Sequence, residues 1–247
     1  MPENKCNMWF EDWFDSPYYH LLYKNRDHSE AELFIDNLLT LLKPEKESRF
    51  LDLGCGKGRH SIYLNKKGFD VTGIDLAENS IQCAKQHENE HLHFYVHDMR
   101  KLFRTNYFDC VVNLFTSFGY FENNRDDNAT INASYKSLKP NGFFVLDFMN
   151  SKKVIRNLPI EEKKIIEGIE FKITKSVSTN FIIKQIQFTD KEKEYKFQEC
   201  VKVFTLADFE NYFSENKLKI VHLKGNYQLE EFDENNSDRL IIVGQKM

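Results

Sequence analysis

A short apolar run, Phe50 to Leu53, meets three alternating glycines, Gly54, Gly56 and Gly58, and a helical pattern starts at Arg59. Glycines open backbone conformations closed to other residues and let a ligand approach the main chain. The helix behind them aims its first N–H groups at a polar or anionic group. Two acids follow at the ends of later apolar runs, Asp75 and Asp98. Asp75 trails the glycines by roughly the twenty residues used in nucleotide sites. Its carboxylate has two oxygens, enough to accept from both hydroxyls of a ribose. The chemistry these types and spacings suit is the binding of a nucleoside or nucleotide. A dinucleotide fingerprint, Gly-x-Gly-x-x-Gly, would need glycine where Arg59 stands. A packing turn without a ligand is the other reading of the stretch; three glycines in one turn argue against it.

The elements around these residues read as strand, turn, helix and strand. The helix over 59–67 stops at Gly68, a C-cap signal, and a strand over 69–75 follows. Strand, helix and strand make one right-handed parallel unit. A helix over 79–88, a half-buried strand over 92–96 and a near-continuous apolar strand over 108–114 come next. The last suits a central parallel strand covered on both faces. A helix over 126–138 ends in the turn Lys139-Pro140-Asn141-Gly142, and a fifth strand covers 143–148, with Asp147 and Asn150 at its end.

Upstream, 29–42 has helical apolar spacing and stops before Pro44; residues 8–26 are aromatic with interleaved acids, and Ser16-Pro17 starts a helix there. After the fifth strand the alternation breaks. Runs over 165–177, 181–188 and 195–204 are rich in β-branched and aromatic residues, with polar turns between them, and read as an antiparallel meander. A helix over 206–215, N-capped by Thr205, and strands over 218–223 and 240–243 close the chain, the last two joined by an acidic loop.

The run Asp52-x-Gly54-x-Gly56-x-Gly58, then Gly73-Ile74-Asp75, His97-Asp98 and Lys139-Pro140-Asn141-Gly142 occur in order. In this the chain resembles the class I methyltransferases that use S-adenosylmethionine (SAM). The resemblance implies an α/β fold: a Rossmann-like seven-stranded, mostly parallel sheet with an antiparallel last strand pair. It divides the chain into an N-terminal helical lid (1–44), a SAM-binding domain (45–150 and 205–247) and an inserted antiparallel β subdomain (151–204).

It also implies which residues meet the cofactor. Around the glycine turn these are Asp52, Gly54, Cys55, Gly56, Gly58, Arg59 and His60. Asp75, Leu76 and Asn79 stand at the ribose, and Asp98, Met99 and Arg100 at the adenine, with Asp98 accepting from its exocyclic amine. Asn113, Leu114 and Phe115 open the loop where donor and acceptor meet, and its aromatic character suits a sulfonium because ring faces attract cations. From the lid come Tyr23 and Arg26, whose guanidinium fork suits a carboxylate.

Methyl transfer from SAM, giving S-adenosylhomocysteine, is an in-line displacement that mainly needs alignment and exclusion of water. An amine acceptor must be neutral when it attacks, so a base helps; His60, Tyr120 and His20 are the candidates. The leading expectation is therefore methylation of a small-molecule N or O acceptor. The alternatives are a non-catalytic SAM-binding module, a tRNA or protein methyltransferase, and an NAD-dependent oxidoreductase.

Composition narrows this further. The net charge of −4 over 247 residues gives no support to nucleic-acid binding. Asn113-Leu114-Phe115-Thr116 also lacks the prolines frequent after the fourth strand of base-amine methyltransferases. The five cysteines form no Cys-x-x-Cys pair, which favours reduced thiols and gives no metal framework. No run reaches the length of a membrane span and the N-terminus lacks a signal-peptide pattern, so the expected setting is cytoplasmic, as a monomer or homodimer.

Overall fold

The computed structural model describes residues 9–24 and 28–247. The elements in chain order are α1 (Trp9–Phe14), α2 (Pro17–Leu22), α3 (His28–Leu42), β1 (Arg49–Leu53), α4 (Arg59–Lys66), β2 (Asp70–Asp75), α5 (Glu78–Lys85), β3 (Leu92–Val96), β4 (Phe108–Asn113), α6 (Asn124–Ser137) and β5 (Leu138–Met149). They continue with α7 (Ser151–Arg156), β6 (Ile160–Ile166), β7 (Ile169–Ser178), β8 (Phe181–Asp190), β9 (Lys193–Lys202), α8 (Leu206–Glu215), β10 (Leu218–Lys224) and β11 (Arg239–Lys246).

The main sheet has seven strands in the order β10-β11-β5-β4-β1-β2-β3. β1 to β5 pair in parallel, while β11 lies antiparallel to both β5 and β10. β4, between β1 and β5, is buried along nearly its whole length, as its apolar run demands. Two apolar layers flank the sheet. One packs Phe34, Leu38, Leu64, Ile81 and Ala84 from α3, α4 and α5. The other packs Ile131, Phe209 and Phe213 from α6 and α8. α8 begins with a full capping box, in which Thr205 and Asp208 satisfy each other's main-chain N–H groups.

The inserted meander differs from its sequence reading. It has four strands, β6-β7-β8-β9, all antiparallel: the added strand β6 lies mostly upstream of the run expected over 165–177, in the charged stretch Glu161 to Lys164, and Glu167 and Gly168 turn the chain into β7 at φ +50° and +82°. The helix α7 precedes it. The expected Lys139–Gly142 turn is not a separate element either. β5 runs from Leu138 onward and absorbs it as an irregularity, with Asn141 at φ +65° and the pairing with β4 jumping from Leu138 to Phe143. Cys55, Cys83 and Cys110 are free thiols, but Cys200 is disulfide-bonded, which corrects the expectation of uniformly reduced thiols.

Candidate functional site

β1 ends at the centre of the sheet, between strands that were added in opposite directions, and open α/β sheets bind ligands beyond the carboxyl ends of strands at such a point. The glycine turn lies there. Gly54, Gly56 and Gly58 all have positive φ, +69°, +54° and +82°. Two of them are also dictated by packing. A Cβ on Gly54 would come within 2.9 Å of Ser117 Cβ, and one on Gly58 within 2.5 Å of the Phe94 ring. A Cβ on Gly56 would meet nothing within 4 Å. The middle glycine therefore opens onto space, as a ligand-approach position should.

Asp75 reaches back to this turn. Its Oδ2 accepts from Gly56 N–H at 2.8 Å and its Oδ1 from Ala77 N–H at 2.9 Å. Each oxygen retains a second acceptor direction, and the residue is half-buried, so hydroxyls of a ribose could still be taken. Burial pushes its carboxyl above the ordinary range. Asp52 lies deeper, buried beneath the turn, and accepts from Ser61 Oγ at 2.6 Å. Burial lifts its carboxyl to about 7 against the opposing pull of the Ser61 bond. Its contact joins β1 to α4 rather than facing outward. Cys55 is likewise buried, and Leu76 is half-buried beside Asp75.

Asp98 is engaged by Arg100. The guanidinium Nε lies 3.0 Å from both carboxylate oxygens, Nη2 is 2.7 Å from Oδ2, and the Arg100 N–H is 2.9 Å from Oδ1. Burial acts to raise this carboxyl, but the Arg100 bonds prevail and hold it below its ordinary value. Arg100 also bonds Asp126 at 3.0 Å and covers the Phe121 ring at 4.7 Å. Met99 lies close to Gly54, its Cε 3.4 Å from where a Cβ would be.

The loop after β4 forms the next wall. Asn113 is fully buried; its amide donates to Leu53 O and Ser117 O, both at 3.1 Å, and so ties β1 to the loop. Its Oδ1 has no partner among the described residues. Leu114 is buried. The Phe115 ring sits between His60, at 4.8 Å, and Tyr227, at 4.9 Å, with the Arg59 guanidinium 4.6 Å above it. His60 is thus part of an aromatic stack.

The helices α1 and α2 lie between this edge and the inserted sheet. On the core side, Asp15 accepts from the Asn79 N–H at 3.1 Å and its side-chain amide at 2.6 Å, and Phe10 meets Phe121 edge to face. Trp9, Phe10 and Phe14 all pack on the Tyr120 ring, whose hydroxyl donates to Thr116 O. His20 is half-buried; burial first, then the nearby Lys57 charge, lowers it to about 4, so it is neutral near pH 7.

On the insertion side, Glu199 Oε1 accepts from Trp13 Nε1 at 2.8 Å and from Tyr23 Oη at 2.6 Å, and Lys184 bonds the same tyrosine hydroxyl. The Tyr23 hydroxyl, expected near the methionine end of the cofactor, therefore bonds β8 and β9. Arg26, also expected here, lies outside the described residues. Sequence reading missed Glu199, Lys184 and Trp13 as anchors; the available signal was that Glu199 shares the β9 face of Tyr195, Phe197 and Val201, an acid in phase with apolar residues. It also left Arg239 and Tyr227 unassigned. Among the described residues no cluster of three or more metal-ligating side chains occurs.

A family model described as a methyltransferase domain matches residues 50–142. A Bacillus subtilis protein named as a methyltransferase is 38% identical over 121 residues, covering 47% of this chain and 48% of that protein. The chain thus spans about half the length of the curated relatives it matches. A SAM-dependent methyltransferase from Clostridium acetobutylicum superposes with a TM-score of 0.77 at 18% identity, covering 92% of this chain and 95% of that one. The SAM-bound amino pentose methyltransferase CalS10 from Micromonospora echinaspora gives 0.71 at 20% identity, covering 94% and 98%. These structures share the fold.

Proposed function

We propose that this chain, which carries a SAM-dependent methyltransferase domain on the class I fold, methylates a nitrogen or oxygen of a small molecule. One observation carries the donor half. Gly56 faces open space while its N–H is fixed to Asp75, so an open main-chain edge and a half-exposed carboxylate stand side by side. The residues present fit a nucleoside carrying an amino-acid tail. Asp75 would take the ribose hydroxyls, the chain around Asp98 the adenine, and the Gly54–Gly58 turn with Asn113 to Phe115 the tail. The donor supplies a methyl group on a positively charged sulfur, which is already an excellent leaving group.

What the chain's own residues must do is align and desolvate, and an amine must also lose a proton. The lid aromatics Trp9, Phe10 and Phe14 exclude water over Tyr120. His20 is neutral, but burial and the Lys57 charge also leave it too weak a base for an ammonium, so the proton of an amine acceptor passes to solvent. His60 serves as a wall, since its ring is committed to the Phe115 stack. The negative net charge and the likeness to an amino pentose methyltransferase support a small, amine- or hydroxyl-bearing acceptor.

Calorimetry with SAM and S-adenosylhomocysteine tests the donor half; folded protein that binds neither would remove it. Radiolabelled methyl transfer across a panel of amino sugars, amino acids and phenols tests the acceptor half. Transfer only to tRNA or to protein would overturn the small-molecule reading.

A further inference from the structure

The turn that follows β4 adopts a shape its residues do not favour. Phe115 and Thr116 are consecutive non-glycine residues in the left-handed region, at φ +56° and +62°. Such conformations persist only where the surroundings over-determine them.

Here the surroundings are one ion pair, its carboxylate completely buried and its Arg239 side chain 18% exposed. Asp147, at the carboxyl end of β5, is completely buried. Its Oδ2 accepts from the Phe115 N–H at 2.7 Å, and its main-chain oxygen accepts from the Thr116 N–H at 3.0 Å. Arg239, at the start of β11, donates from Nε to Asp147 Oδ1 at 2.8 Å and from Nη2 to Thr116 Oγ1 at 2.8 Å. Tyr227 closes the group: its hydroxyl lies 3.3 Å from Asp147 Oδ2 and its ring stacks on Phe115. Every main-chain donor and the side-chain hydroxyl of the two strained residues therefore ends on Asp147 or Arg239. A buried ion pair is a poor device for stability alone, since apolar side chains of like volume often serve as well. Its neighbours in the sheet, Leu146, Phe148, Leu240 and Ile241, are of that apolar kind. The pair's distinctive work is on the turn.

We propose that Asp147 and Arg239 are positioning residues that hold the Phe115–Thr116 turn in the shape receiving the sulfur-bearing end of the methyl donor, without touching the donor themselves. This rests on the donor reading given above. The Asp147 carboxylate sets where the Phe115 main chain lies. The ring then lodges between His60 and Tyr227, and Arg239 prevents Thr116 from relaxing to an ordinary conformation.

The test compares two ligands, S-adenosylhomocysteine and adenosine, by calorimetry on the full chain. Adenosine lacks the tail, so it reports the nucleoside half alone. The variants are Arg239→Lys, which keeps the charge but loses the fork, and the double change Asp147→Asn with Arg239→Met, which leaves no stranded charge. A thermal melt of each establishes folding. The double variant is expected to lose about tenfold or more in affinity for S-adenosylhomocysteine and less than about twofold for adenosine, with Arg239→Lys between it and the wild type. Adding Thr116→Gly to the double variant should recover part of the loss, because glycine enters the left-handed region without strain.

Equal losses for both ligands, or unchanged S-adenosylhomocysteine affinity in a folded variant, overturn the proposal. So does a Thr116→Gly change that recovers nothing. Wild-type protein that binds neither ligand overturns the donor reading itself, a result distinct from all of these. If the double variant fails to fold, Arg239→Lys alone decides by the same ratio.

Discussion

The glycine-turn side of the candidate site and the side formed by α1 and α2 are assembled from different materials. Around Gly54 to Gly58 the contacts run through the main chain: Gly54 and Cys55 N–H to Ile74 O, Gly56 N–H to Asp75. Between α1, α2 and the inserted sheet they run through large side chains: Trp13, Tyr23 and Lys184 on Glu199, Tyr18 on Asp190, and a stack of aromatics over Phe171 and Phe188. A main-chain wall admits few residues at each position and fails sharply when one is changed. A side-chain wall spreads its energy over many contacts and yields gradually. One is suited to a ligand that never varies, the other to a partner that differs from enzyme to enzyme.

Substitutions can break this contrast, and the largest effects belong to the glycines. Gly58→Val puts a branched side chain at φ +82° against the Phe94 ring and should destabilise the fold by about 3 kcal/mol or more, read from the thermal midpoint. Gly56→Val meets no neighbour but is strained at φ +54° by roughly 1–3 kcal/mol; in variant protein shown folded by a melt, SAM affinity should fall by about a hundredfold or more. If Gly56→Val binds normally, the turn is not the donor wall. Next comes Asp75→Ala, expected to weaken SAM by more than about tenfold, through lost ribose bonds and a loosened Gly56 N–H.

On the other side, Glu199→Gln should leave S-adenosylhomocysteine affinity within about threefold while costing roughly 1–2 kcal/mol of local stability. Hydrogen exchange over residues 9–24 reads it; unchanged exchange there would mean that α1 and α2 are not anchored through Glu199.

In pH the two sides should differ in sign. Asp52 has its folded value raised to about 7, so its protonated form is favoured and its contribution falls as pH rises from about 4 to 7. His20 has its folded value lowered to about 4, so its contribution is present above about 6.5 and lost as pH falls toward 4. Asp52→Asn should flatten the first slope and His20→Gln the second, in melts taken across that window. Slopes that do not move would mean that other buried carboxylates, such as Asp127, carry the dependence.

The same contrast explains what could be read in advance. A main chain forced to positive φ writes itself into the sequence as glycine, and parallel strands covered on both faces write themselves as apolar runs. The order of β1 to β5 and the glycine turn were therefore legible. The meander was counted one strand short because β6 lies mostly in the charged stretch Glu161 to Lys164, upstream of the run expected over 165–177. The Lys139–Gly142 stretch reads as a turn by composition, yet the strand continues through it because β4 pairs on both sides of it. The Asp147–Arg239 pair was invisible for a different reason. Its partners are 92 positions apart, and an acid inside an apolar strand does not announce which distant cation meets it.

One contact of the inserted sheet bears on how such a chain could diversify. The sheet departs after β5 at the same rim to which it returns, where the Lys202 N–H bonds Gly119 O at 2.8 Å and its ammonium is buried on Asp127. Entry and exit share one edge, so the whole meander is a cassette. Its outer strands could be lengthened, exchanged or lost to an unrelated insert without rethreading the parallel strands that carry the glycine turn. The Lys202 clasp and the bonds from Trp13 and Tyr23 to Glu199 would have to be kept or replaced. Selection acting on the cassette would then leave the glycine turn as inherited.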